Sequence, residues 1–316
     1  MRQRLFFSFA ILLVLGCAAR AEEQDFSKVE IKTTQLADGL YLLQGAGGNM
    51  TAAVGADGVL LVDDAFAPLA AKIRASLKSL GGGDRRLRYV INTHYHYDHT
   101  GGNKPFAEAG ATIIAADQLR SRLMTGGTAG NGGSISHEMK PVEAGALPQI
   151  TFDHALTVHM NGEDIRAVHY ANAHTDGDSI VYFPKAHVVA MGDIYVRYGF
   201  PFIDINGGGT VQGMITACID VLRTVPADSK IVPGHGELAG VDDLRTYLKM
   251  LQDTSAAVDA AIKAGKSLAQ IKQEHILGAW SERYSPPKAF VDTDAFAETL
   301  YNSLNRRVPR HGGRPR

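Results

Sequence analysis

The sequence predicts an α/β fold built in layers, with two β-sheets packed face to face and helices outside. Three observations carry this. Strand-length apolar runs alternate with segments of helical periodicity. The chain divides into two halves, each beginning with strands and ending in helices. No repeat of the kind that marks a solenoid runs through it. With 316 residues, 45% hydrophobic and 21% charged, the chain is long and apolar enough to bury a large core.

The elements follow in order. DGLYLLQGAGGNMTAAVGADGVLLVDDAF, 38–66, reads as three short strands broken at Gly45 to Asn49 and at the hairpin signal Ala56-Asp57-Gly58. APLAAKIRASLKSLGGG follows with helical spacing and a glycine stop. RLRYVINTH is a strand that ends in a histidine cluster. NKPFAEAG is a short helix, ATIIAA a strand and DQLRSRLM a helix. GGTAGNGG, 126–133, has the composition of a flexible loop, either a lid or a plain connector, and no regular element is expected there. Strands return with ITFDHALTVHM, the turn Asn161-Gly162 and EDIRAVHYANAH. SIVYFP and HVVAMGD form another hairpin through Pro184-Lys185. A helix then runs to about Arg223, the strand KIVPGHG follows, and the rest is helical.

The ends of the chain have characters of their own. Arg2 and Arg4 precede an apolar run from Leu5 to Gly16, and Ala19-Arg20-Ala21 places small residues at cleavage spacing, the form of a secretory signal peptide. The run is too short to span a membrane comfortably. Cleavage after Ala21 is expected, with a periplasmic or secreted product. Val14-Leu15-Gly16-Cys17 offers a rival lipoprotein box in which Leu15 fits poorly; its use would lipidate Cys17 and tether the chain to a membrane. A mature chain from Glu22 retains Cys218 alone, so no intramolecular disulfide can form. Cys218 then reads as a small buried apolar residue. A net charge of -1 with no basic stripe argues against nucleic acid as a partner. The basic segment 306–316 reads as a frayed tail, with contact to a membrane surface or polyanion as the lesser alternative.

The chemistry concentrates in INTHYHYDHTGG, 91–102. His94, His96, Asp98 and His99 place four metal-ligand side chains within six residues, just past an apolar strand. A strand alternates its faces, so residues two apart share a side and His94 and His96 can point together. Imidazole and carboxylate are what zinc binds, and strand ends are where ligand sites collect in such sheets. A solvated polar turn is the alternative, and the density of ligand types argues against it. His174, Asp193 and His235 each also follow an apolar strand. Singly, each reads as an ordinary loop residue; the shared placement joins them to the first cluster. His137, His154, His159, His169, His187, His275 and His311 lie outside these motifs. Tyr95 and Tyr97 are left open between lining a pocket and packing, and Asp176 and Asp178 read as hydrogen-bond partners that fix the HTDGDS loop.

These motifs (H-x-H-x-D-H at 94–99, AHTDGD with His174, MGD with Asp193, PGHG with His235) resemble the metallo-β-lactamase superfamily over about Gly39 to Gly236. The resemblance implies a four-layer αββα sandwich, two mixed sheets flanked by helices. Its domains would be a signal peptide at 1–21, the family domain at 22–240, a packed helical extension at 241–305 and the tail at 306–316. It implies two Zn2+ ions per chain. His94, His96 and His174 would hold one, Asp98, His99 and His235 the other, and Asp193 would bridge them. Asp98 would also be catalytic, orienting a metal-bound hydroxide. The bridging aspartate is more typical of relatives such as glyoxalase II, lactonases and phosphodiesterases than of members working mainly as β-lactamases. The expected protein is thus an exported zinc hydrolase acting on a small molecule: a cyclic amide, lactone, ester or thioester, with β-lactams among the candidates. Two other readings stand beside it. One is an iron oxidoreductase of the same fold, against which the imidazole of His96 argues. The other is a periplasmic zinc-binding protein without turnover.

Overall fold

Strand β1 (Lys32–Ala37), β2 (Leu40–Gln44), β3 (Met50–Gly55) and β4 (Gly58–Val62) form an antiparallel meander. The structure is a computed structural model that describes residues 25–82 and 86–305. The expected signal segment, Cys17 and the basic tail lie outside the described residues. β4, GVLLV, is buried along its whole length, as a strand covered on both faces must be. Helix α1 (Ala70–Leu77) returns the chain so that β5 (Leu87–Ile91) joins β4 in parallel. A helical turn α2 (Tyr97–Thr100) and helix α3 (Asn103–Glu108) lead to β6 (Thr112–Ala116), again parallel, and α4 (Asp117–Thr125) follows.

The segment expected to be an irregular loop is instead a hairpin. β7 (Gly127–Gly130) pairs antiparallel with β8 (Ser136–Met139). Backbone bonds offset the weak propensity of its glycines. Asn131, fully buried, accepts at Oδ1 from the backbone N–H of Gly133 (2.9 Å) and of Ile135 (3.0 Å), closing the turn. Gly132 sits at φ 77°, where a side chain would be strained. β9 (Ile150–Phe152) then adds in parallel to β6 and completes a seven-stranded sheet, β1-β2-β3-β4-β5-β6-β9.

The second sheet runs β10 (Ala155–Met160), β11 (Glu163–Tyr170), β12 (Asp178–Phe183), β13 (Val188–Ala190), β14 (Lys230–Val232) and β15 (Ala239–Gly240). Asn161 and Gly162, both at positive φ, make the β10–β11 turn that Asn-Gly favours. Helix α5 (Val211–Thr224) crosses from β13 to the parallel β14, with Thr210 accepting from Gly213 N–H as its cap. Helices α6 (Val241–Lys263), α7 (Leu268–Gln273), α8 (Gly278–Tyr284) and α9 (Thr293–Asn305) follow. No helix among the described residues is long and apolar enough to cross a membrane.

Three buried clusters show the layering. Between the sheets, Leu60, Ile91 and Ile114 meet Ile165, Val181 and Phe183. Ile73, Leu77 and Phe106 of α1 and α3 cover the outer face of the first sheet. Met214, Val221, Leu251 and Phe296 of α5, α6 and α9 cover that of the second, in one cluster with Val189 and Ile231. The molecule is therefore helix, sheet, sheet, helix. Phe183 has no exposed surface, and its truncation to Ala is expected to cost about 3–5 kcal/mol, the range for a buried phenylalanine.

Candidate metal centre

The named residues arrive at one edge of the sandwich from different strand ends. β5 stops at Ile91, so His94 and His96 do not share a pleat; the alternation argument for them fails. The chain instead leaves the sheet in a bend, and His96, in extended backbone (φ -64°, ψ 147°), precedes α2. Asp98 and His99 fall within α2, the turn that aims them back. His174 follows β11, Asp193 lies just past β13, and His235 lies past β14.

All seven motif residues converge. Three overlapping groups form, His94–His96–His174, His94–His99–Asp193 and Asp98–His99–His235, and within each the ligand atoms lie within 4.8 Å of one another. His96 Nδ1 is 3.0 Å from His174 Nε2, and His99 Nε2 is 3.2 Å from His235 Nε2. His235 Nε2 lies 3.1 Å from Asp98 Oδ2. Asp193 stands between the two ends, with Oδ1 3.2 Å from His99 Nε2 and Oδ2 3.9 Å from His174 Nε2. The backbone makes room for this crowding: a Cβ on Gly234 would sit 2.0 Å from Asp193 Oδ1, and one on Gly48 would sit 2.2 Å from the His99 ring.

The donor set fits a metal ion. His94 is buried and its Nε2 has no hydrogen-bond partner, an arrangement that costs free energy unless something accepts the lone pair. The outward nitrogens are each occupied. His174 Nδ1 donates to Phe202 O (2.8 Å), which can only accept, so Nε2 is left bare on the inner side. His94 Nδ1 lies 3.1 Å from Thr93 Oγ1, and His99 Nδ1 lies 2.8 Å from Asp63 Oδ2. His96 Nε2 lies 3.1 Å from Asp204 Oδ2, which leaves Nδ1 facing His174. Such outer contacts orient imidazoles as ligands.

Asp63 and Asp204 were not singled out by sequence reasoning. Asp63 follows β4 at φ 58° and accepts from Thr93 N–H (2.7 Å) and Thr93 Oγ1–H (2.8 Å). Asp204 is fully buried. Its Oδ2 also accepts from the Tyr95 hydroxyl, and its Oδ1 accepts from Gly130 N–H (2.7 Å) and Gly207 N–H (2.8 Å). Asp204 thereby ties the β7–β8 hairpin to His96. The available signal was a carboxylate set in an apolar run: VDDAF for Asp63, FIDI for Asp204.

Charge divides the cluster. Burial pushes the His94 pKa well below the ordinary histidine value, with His99 adding to it. Burial lowers His174 to about 4. His99 goes the other way: burial opposes its charge, but Asp98, Asp193 and Asp63 together raise it well above the usual value. His235 is raised in the same way, Asp193 and Asp98 outweighing burial. Asp98, although burial favours its neutral form, is held down at about 2 by His99 and His235. His94 and His174 are thus held neutral, and the aspartate end is a network of ion pairs.

The remaining candidates lie elsewhere. His169 Nδ1 is 2.8 Å from Asp153 O and its Nε2 is 2.9 Å from Asp176 O, so it pins two loops away from the cluster. Asp178 accepts from Thr175 N–H (2.8 Å), while Asp176 pairs with Arg122. Tyr95 is buried against Asp204, and Tyr97 is exposed at a cleft. Cys218 is fully buried, and burial pushes its thiol up to about 12.

That cleft holds about 450 Å³ and is lined by His96, Asp98, Asp193 and His235 from the cluster. Tyr198 also lines it; burial, with Asp193 next, raises its pKa and keeps the phenol protonated.

Comparison with known proteins identifies the family and the fold. Residues 43–246 match the family model of the metallo-β-lactamase superfamily. A hydroxyacylglutathione hydrolase from a Polaromonas species is 26% identical over 175 residues, 54% of this chain and 56% of that protein. One from Pelagibacter ubique is 27% identical over 161 residues, 50% of this chain and 56% of that protein. The chain thus spans about half the length of the curated relatives it matches. The crystal structure of the DIM-1 metallo-β-lactamase superposes with a TM-score of 0.57 at 15% identity, covering 72% of this chain and 99% of the other. A metallo-β-lactamase from Pontibacter korlensis gives 0.57 at 15%, covering 71% and 99%. At these identities the two structures share the fold.

Proposed function

The chain belongs to the metallo-β-lactamase superfamily, and from that footing we propose that it is an exported, binuclear zinc hydrolase of a small ester, lactone, thioester or cyclic amide. The observation that carries the proposal is the buried, unpartnered His94 Nε2 facing His96 and His174 on one side and His99 and Asp193 on the other. His94, His96 and His174 would hold one ion, Asp98, His99 and His235 the second, and Asp193 would face both. Bound there, zinc supplies a water acidified toward neutral pH and polarises the group under attack.

The chain's own residues do the rest. Asp98 is the catalytic carboxylate: held ionised by its histidine neighbours, it accepts a hydrogen bond from the attacking water and orients it. Tyr198, kept protonated, presents an O–H donor at the cleft for the charge that develops on the substrate. Asp63 and Asp204 hold the imidazoles of His99 and His96 in register. The name of the curated relatives, hydroxyacylglutathione hydrolase, favours thioesters and esters over β-lactams as the principal class.

The test compares kcat/KM of the zinc-loaded mature chain on a chromogenic cephalosporin with that on lactone, ester and thioester panels, with His96→Ala as control. We expect one oxygen or thioester class to reach about 10⁵ M⁻¹s⁻¹, an ordinary enzyme efficiency, with the cephalosporin orders of magnitude lower. Full activity in His96→Ala would sink the metal assignment. The export proposal rests on the N-terminal pattern and is checked by sequencing the N-terminus of protein from the cell envelope, expected to begin at Glu22.

A further inference from the structure

Beyond the cluster, the cleft is built from aromatic surface in two sets. Phe66 and Tyr97 lie with ring centroids 5.6 Å apart at 53°. Phe202 and Phe290 meet edge to face at 5.7 Å, and Phe290 stacks on His137 of β8 at 6.0 Å. Met139 of the same hairpin completes the lining. Tyr97 is 52% exposed and Phe290 is 56% exposed, so the two most exposed large apolar side chains among the described residues both open on this cleft. Surface of that kind gathered at a concavity marks a binding site. Among the described residues lining it, none is lysine or arginine. Metal charge at one end of the cleft would serve the reacting group, but a group reaching the far end meets rings and a thioether. An anion there would lose its water with no lysine or arginine among the lining residues to replace it.

We propose that the substrate is a neutral ester or lactone whose acyl part is an apolar chain or ring of several carbons, seated between these two aromatic sets. The proposal rests on the hydrolase reading above and names its substrate class. In the reaction, the oxygen of water bonds to the acyl carbon and the acyl C–O bond breaks. The departing oxygen takes a proton from that water, and the acid product ionises to a carboxylate. Substrates carrying anionic groups at the far end, as a glutathione thioester does, are disfavoured.

The test uses the full zinc-loaded chain and aryl esters with acetyl, octanoyl and ω-sulfo-octanoyl groups, rates being normalised to hydroxide hydrolysis. Sulfonate is chosen because it is a poor zinc ligand. Each buried methylene is worth up to about fourfold, so octanoyl should exceed acetyl in kcat/KM by at least about thirtyfold, and the terminal sulfonate should cost about tenfold or more. Phe290→Ala should lower the octanoyl-to-acetyl ratio about tenfold. Equal rates on acetyl and octanoyl esters, or a sulfonate ester turned over as fast as the neutral one, would overturn the proposal while leaving the hydrolase reading intact. Absence of turnover on every ester while the thioester or cephalosporin panel is hydrolysed would also overturn the proposal; absence of turnover on all of these classes would instead sink the hydrolase reading. Calorimetric titration with octananilide and its ω-sulfo analogue then decides the cleft's preference without catalysis. Neutral ligand bound about tenfold tighter, and weakened in Phe290→Ala, supports it; equal binding overturns it.

Discussion

The two ends of the histidine cluster lie within a few ångströms and have opposite electrostatics. At the His94–His96–His174 end, burial dominates: His94 and His174 are fully enclosed and their pKa values are pushed down. At the Asp98–His99–His235 end, carboxylates outweigh burial and the histidine pKa values rise. The difference shows how one polypeptide can offer a metal both a preformed neutral cradle and a charged one. In the first, His94 and His174 have bare nitrogens at neutral pH, whereas the second must shed protons before its nitrogens can bind. Its carboxylates hold those protons in the metal-free protein and would balance metal charge in the loaded one.

Variants at the ligands give the largest effects. His96→Ala should abolish binding at the histidine end and lower activity at least about a thousandfold, since metal chemistry supplies several kcal/mol of transition-state stabilisation; metal analysis alongside kinetics checks both. Asp98→Asn should act on the other end, lowering activity about a hundredfold or more. Its metal loss should be confined to one ion per chain, leaving the ion at the histidine end in place.

pH separates the ends without mutation. A histidine protonated in the free protein is a competitor for metal, so raised pKa values at His99 and His235 make affinity climb as pH rises. Between pH 6 and 8 the aspartate end should tighten by up to about tenfold per pH unit for each protonated ligand. The histidine end should depend on pH less steeply, because His174 titrates near 4 and His94 well below its usual value. Competition with a chelator at stepped pH measures both slopes.

Smaller effects lie one shell out. Asp63→Asn and Asp204→Asn should each weaken metal binding about 10- to 100-fold at one end, Asp63 through His99 and Asp204 through His96. Asp204→Asn should also loosen the β7–β8 hairpin, raising amide exchange at Gly130, whose N–H it holds. His169→Ala should leave metal content unchanged and cost only about 1 kcal/mol of stability, the worth of an ordinary hydrogen bond; a thermal melt reads it.

Much of this was legible in the sequence because the relevant signals are local. Continuous apolar runs such as GVLLV and ATIIAA, bounded by turn residues, read as covered strands, and ligand-type residues just past such runs stand out against them. Other features depend on partners distant in the chain. β1 was unread because an edge strand such as KTTQLA, half exposed, carries little apolar pattern. The hairpin at 127–139 depends on Asp204 and Asn131 rather than on the propensity of its glycines. The pleat argument for His94 and His96 reached the right proximity by the wrong route, since a bend and a helical turn bring them together. Asp63 and Asp204 look like any loop aspartate until the tertiary contacts place them behind His99 and His96.

The measurement that bears most directly on this account is metal stoichiometry by mass spectrometry of the elements, on the wild-type chain and on Asp98→Asn at pH 7.5. The account requires two zinc ions per chain in the first and one in the second, the retained ion lying at the histidine end. A wild-type chain that binds one ion or none, or an Asp98→Asn chain that still holds two, would contradict it.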